Sequence, residues 1–251
     1  MRVVSDRRSV VFGGLLTVGW ATCSHCVAQV GTVGSCYVPP EQAEGYFNRT
    51  TSVQAFMSGN ESLEPRSGNP QLDRALAQSL GMLSRTFEVL PGFAYYRDTD
   101  GMNARATPAV MLDRTDGTVM FGLGLLEHLL ARPSHGDAAV VAVCAHEFGH
   151  IIAYKLGLQQ RLISNGSPFR GEQFADFIAG YFAGLRKLER PDFPAVAFAT
   201  TQRSFGGSVR GTHGTGVERA AAVEAGFAAA YRDRMDSSSG INVGYQYAMS
   251  V

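Results

Sequence analysis

A chain of 251 residues, 45% hydrophobic and 18% charged, carries enough apolar material for one globular domain with a real core. Its 22 basic and 22 acidic side chains cancel. No basic run occurs, so the electrostatic footprint that nucleic-acid binding requires is missing. No internal repeat is visible.

Residues 1–28 read as an export signal. Arg2, Arg7 and Arg8 form a positive start, Val10 to Ala21 an apolar run too short to span a membrane comfortably, and Cys26-Val27-Ala28 a small-residue cleavage site before Gln29. The expected location is periplasmic or secreted, with Arg7-Arg8 leaving the twin-arginine route open beside the general one. Val33-Gly34-Ser35-Cys36 resembles a lipoprotein box, so a lipid anchor at Cys36 is the alternative. Export would leave Cys36 and Cys144 where a disulfide is permitted, although Cys144 reads more simply as a small buried apolar residue.

Residues 29–69 are rich in Gly, Pro, Ser, Asn and Glu with little periodicity and read as a partly disordered extension. From Pro70 the pattern changes: Leu72, Leu76, Leu80, Leu83 and Phe87 recur at helical spacing and open the main domain, residues 70–235. Gly92–Arg97 and Thr118–Gly122 read as strands, each beside a turn (Asp98–Met102 and Asp116-Gly117), and Leu123 begins a helix. His128 and His135 have no metal partner at helical spacing and read as surface residues.

Val140–Ile152, VVAVCAHEFGHII, holds the chemistry. On a helix His146 and His150, four apart, project from one face, and Glu147 points beside them, the HExxH arrangement of a zinc site with a base. Neutral imidazoles are good zinc ligands, a catalytic zinc keeps one position for water, and Glu147 would move that water's proton. Apolar flanks imply a buried helix, in which charges and imidazoles need partners. Ala153 and Leu156 exclude the metzincin pattern. The third ligand is sought in Gly171–Tyr181, GEQFADFIAGY, where Glu172 and Asp176 again share a helical face. Glu172 completes a His, His, Glu set for one zinc per chain, and Asp176 accepts from the second ring nitrogen of a ligand, His146. Gly149, Ala153, Ala175 and Ala179 would let the two helices approach closely.

The remaining chain reads as a polar loop at 158–170, proline breaks at Pro191 and Pro194, a glycine-rich stretch at 205–216, an alanine-rich helix at 217–234, and a tail at 236–251 that forms a short strand or stays loose.

HEFGH followed by EQFAD resembles the gluzincin metallopeptidases of the HtpX and Oma type, the group that includes the prenyl-protein proteases; the resemblance spans Gly92 to Tyr231. It implies an α+β zincin-like domain, mostly helical, with a small mixed sheet whose edge strand precedes the HExxH helix and holds substrate main chain. Thr118, Val119, Met120 and Phe121 are the expected edge. It also implies a histidine followed six positions later by an arginine. His213 and Arg219 keep that spacing, with Gly214 where the family has proline. His213 would then stabilise the oxyanion and Arg219 orient the loop or the substrate. The expected function is zinc-dependent hydrolysis of internal peptide bonds in polypeptide substrates, in envelope protein quality control or maturation. A non-hydrolytic zinc-bound chaperone or scaffold and a latent peptidase whose Leu158 to Arg170 loop or N-terminal extension covers the cleft are the alternatives. Unlike the membrane-embedded members of that group, the mature chain is expected to carry no further apolar run long enough to span a membrane.

Overall fold

The computed structural model describes residues 36–53, 67, 69–99, 101–163, 166–208 and 213–251; the stretch read as an export signal, residues 33–35 of the stretch that resembles a lipoprotein box and residues 54–66 of the stretch read as an extension lie outside them. Among the described residues nine helices surround one small mixed sheet. Four strands build it: β1 (Thr50–Val53), β2 (Gly92–Tyr96), β3 (Ala104–Thr107) and β4 (Thr118–Gly122), in the spatial order β1-β2-β4-β3. β2 and β4 run parallel, with Gly92 opposite Thr118 and Tyr96 opposite Gly122, while β1 and β3 flank them antiparallel. Both central strands are buried along their whole length, which explains the continuous apolar runs GFAYY and TVMFG.

This order corrects the expected substrate edge. Thr118–Phe121 is bonded on both sides, to β2 and to β3, so it has no free backbone row. The outer strand on that side of the sheet is β3, because the chain leaving β2 crosses over β4's position and returns as β3 on its far side.

Helix α1 (Pro40–Phe47) and β1 lie within the stretch read as extension, and β1 pairs with β2, so the domain begins well before residue 70. α2 (Pro70–Phe87) starts where Asn69 Oδ1 accepts from Gln71 and Leu72 N–H, and buries Leu76, Leu80, Leu83 and Phe87 in the main core. α3 (Leu123–Leu130) has no cap of its own; Asp98, from the β2–β3 turn, accepts from Gly124 N–H at 2.8 Å and Leu125 N–H at 3.0 Å.

α4 (Gly136–Lys155) runs through the centre of the core. Its 20 residues are long and apolar enough to cross a membrane, contrary to the expectation that no such run follows the signal, but 89% of its apolar window is buried inside the domain. After α5 (Gln159–Leu162), α6 (Phe169–Glu189) packs on α4 at Gly149, where an added Cβ would stand 2.6 Å from Ala175 Cα. Gly149→Ala therefore forces the two helices apart and should cost ~1–3 kcal/mol, read in a melting experiment as a fall of about 2–10 °C. α7 (Val196–Phe205), α8 (Gly216–Tyr231) and α9 (Ser237–Ser250) close the domain. α9 replaces the loose tail or strand expected there. Asp236 caps it by accepting from Ser239 N–H at 2.8 Å, and Gly240 and Gly244 bring it flush against Tyr181 and Phe177. Small residues make the closest part of that contact, and Tyr247 packs beside them on Phe177, ring centres 5.8 Å apart.

Candidate metal centre

Helix α4 supplies three of the central side chains and α6 two. The Nε2 atoms of His146 and His150 face each other at 3.2 Å. Glu172 Oε2 lies 3.4 Å from His146 Nε2, and Oε1 lies 3.5 Å from His150 Nε2. Ligands bonded at 2.0–2.1 Å to one tetrahedral ion stand about 3.3–3.4 Å apart, so these spacings are those of a tetrahedron's edges. Neither Glu172 carboxylate oxygen accepts a hydrogen bond among the described residues, although the group is fully buried. An unsolvated carboxylate of this kind needs a cation.

A fourth donor joins them. Cys36 is buried, and its thiol lies with the His146, His150 and Glu172 donor atoms in a group all within 4.8 Å of one another, a set that could hold a metal ion. Cys36 and Cys144 are both free, so the permitted disulfide is not formed. Cys144 is an inert core residue.

Around the donors runs a chain of buried polar contacts. His146 Nδ1 donates to Asp176 Oδ1 at 2.7 Å, which makes Nε2 the ring nitrogen that faces the donor cluster. Arg219 clamps Asp176 twice, from Nε to Oδ2 at 2.8 Å and from Nη2 to Oδ1 at 2.9 Å, and donates to Gln202 Oε1 at 2.9 Å. Gln202 in turn donates to Ala142 O on α4 at 3.3 Å. Arg219 is thus a buried clamp on Asp176. Its place is set by a capping box that opens α8: Glu218 N–H donates to Thr215 Oγ1 at 3.2 Å, and Thr215 N–H to Glu218 at 2.8 Å.

Burial pulls the pKa of His150 down to about 4 and lowers that of His213, which favours neutral imidazoles. Burial would lower His146 too, but the adjacent Asp176 carboxylate and its hydrogen bond raise it well above the ordinary value. Burial raises Asp176 and Glu172; Arg219 overcomes this at the first, the surrounding histidines at the second, and both end below the usual carboxylate range. Burial pushes Glu147 up to about 8 against the pull of His146. Its Oε2 accepts no hydrogen bond among the described residues.

The structure brings His213 to the rim, with Nε2 3.9 Å from Glu172 Oε2. The next residue, Gly214, has φ +84°, a left-handed conformation that a proline ring forbids, so this loop takes a path that the family's His-Pro could not. His128 and His135 are exposed and away from the centre. Cys36 and Gln202 were not singled out as site residues. Gln202 lies in no motif, Cys36 only in the stretch that resembles a lipoprotein box, which carries no metal signal, and the fold brings both to the cluster.

Comparison with family models, with curated proteins and with solved structures returns no match for this chain. The reading of the site therefore rests on its geometry and on the resemblance of its two motifs.

Proposed function

We propose that the chain is a zinc-dependent endopeptidase of the zincin type. The observation that carries this reading is the pairing of a buried His146, His150 and Glu172 set at tetrahedral spacing with a buried carboxylate, Glu147, that is no part of the set. Two imidazoles and a carboxylate are the donor set of a catalytic zinc, which when bound supplies a Lewis acid and an acidified water.

The chain's own residues do the rest. Asp176, clamped by Arg219, holds His146 in the ligand tautomer. Glu147 receives a proton from the attacking water at Oε2 and returns it to the departing amine. His213 donates to the oxygen of the scissile carbonyl as negative charge develops there. Main chain of the substrate lies along β3, the outer strand, and not along β4. The expected setting, envelope protein quality control or maturation, depends on the export reading of residues 1–28.

A second reading has its own support. With Cys36 the donors number four, the closed set of a structural zinc site, as a non-hydrolytic scaffold would use. Such a site has no use for a buried, unsatisfied Glu147. The test is casein incubated with the zinc-loaded full chain and with the same chain treated with a chelator. Internal peptide bonds are expected to be cut only by the former, and the scaffold reading would win if zinc is held and no bond is cut even with Cys36 replaced.

A further inference from the structure

Peptide hydrolysis at this centre needs two places open, a metal position for water and the outer row of β3 for substrate main chain. One short segment occupies both. Ahead of α1, residues 36–38 run parallel to β3: Ala106 N–H donates to Cys36 O at 2.8 Å, and Val38 N–H donates to Ala106 O at 2.9 Å. These are the groups of Ala106 that an extended substrate would use. At the head of the segment the Cys36 thiol joins the donor cluster. Tyr37 rests on Tyr154, ring centres 5.8 Å apart, and Tyr154 stacks on His150. Val38 is buried against Tyr96 and Met120.

Little space remains around this strap. A cavity of about 40 Å³ between Cys36, His146 and Glu147 and one of about 10 Å³ between Tyr37, His150 and Glu172 flank it among the described residues. One or a few waters fit such volumes; a polypeptide does not.

We propose that the Cys36–Val38 strap is a built-in plug: the Cys36 thiolate is the fourth ligand of the centre in a latent state, and peeling the strap from β3 opens the metal position and the substrate edge together. This rests on the zinc-peptidase reading above. On opening, the metal–sulfur bond breaks, a metal–oxygen bond to water forms, and the released thiolate takes a proton from solvent; no electrons are transferred. Because no disulfide ties Cys36 down, two main-chain hydrogen bonds, side-chain packing and one metal bond are what must yield. A polypeptide that pairs with Ala106 competes directly for the strap's place.

The test compares the full chain with Cys36→Ser, each loaded with cobalt(II) for spectroscopy and with excess zinc for casein cleavage. The parent is expected to show a thiolate-to-cobalt charge-transfer band in the near ultraviolet that Cys36→Ser lacks. The zinc-loaded variant is expected to cleave ~10-fold or more faster, since the parent reacts only through its open fraction. Val38→Pro keeps the thiol but deletes the N–H that bonds Ala106 O, and should also speed cleavage, by a smaller factor, which keeps the test alive if Cys36→Ser misfolds. No thiolate band in the parent overturns the plug. So does a band accompanied by equal cleavage in all three chains, which would make Cys36 a structural ligand. If zinc binds none of the three chains, the peptidase reading fails instead, so the two failures are distinguishable.

Discussion

Glu147→Gln is expected to lower casein cleavage by ~10²–10⁴-fold, the ordinary contribution of a positioned general base, while zinc content stays that of the parent. The argument lies in what Glu147 does and does not touch. It is buried, one residue from His146, and stands outside the donor set at tetrahedral spacing. Gln has the same shape, so the α4 packing survives, but an amide cannot take a proton and pass it on. The comparison holds in the parent and in Cys36→Ser alike, since it compares equal open fractions. Cleavage within about threefold of the parent, an effect far too small for a lost base, would remove Glu147 from the mechanism.

Asp176→Ala is expected to be the most damaging single change to stability. Arg219 is 2% exposed, and Asp176 is the group that neutralises it. Deleting one partner of a buried pair leaves an uncompensated charge, at a cost of ~3–5 kcal/mol. The same change removes the acceptor of His146 Nδ1–H, and loss of such a partner weakens metal binding by about 10–100-fold. Urea unfolding of the metal-free chain reads the first effect and competition for zinc with a coloured chelator reads the second. A double change, Asp176→Ala with Arg219→Met, should recover much of the stability and none of the zinc affinity. If the single and double variants unfold at the same urea concentration, the buried pair is not what the packing of α6 on α8 depends on.

What could be read from the residue order was the part of the centre that is local. Four-residue spacing alone puts His146 with His150 and Glu172 with Asp176, because a helix repeats its face every turn. Long-range pairing was not legible. Thr118–Phe121 reads as an edge strand from its place before the helix, yet a strand's neighbours are chosen by the sheet, and β3 folds to its outer side. Cys36 is 110 positions before His146, in a stretch with no hydrophobic period, and reaches the cluster through backbone bonds to Ala106 and the packing of Tyr37 and Val38. Arg219 was placed near the site by its spacing from His213, but its buried clamp on Asp176 follows from how α8 crosses α6. There Gly180 and Gly226 let the two backbones touch. Gln202 follows no pattern. α9 escaped notice because its inward face is Gly240, Gly244 and Ala248, residues that a hydrophobic period does not register.

The central claim is that His146, His150 and Glu172 hold one metal ion. It is tested most directly by zinc content, measured by plasma mass spectrometry after exhaustive dialysis of the full chain beside His150→Ala. The account predicts one zinc per parent chain and a near-complete loss in the variant. A parent without zinc, or a variant that retains it, would contradict it.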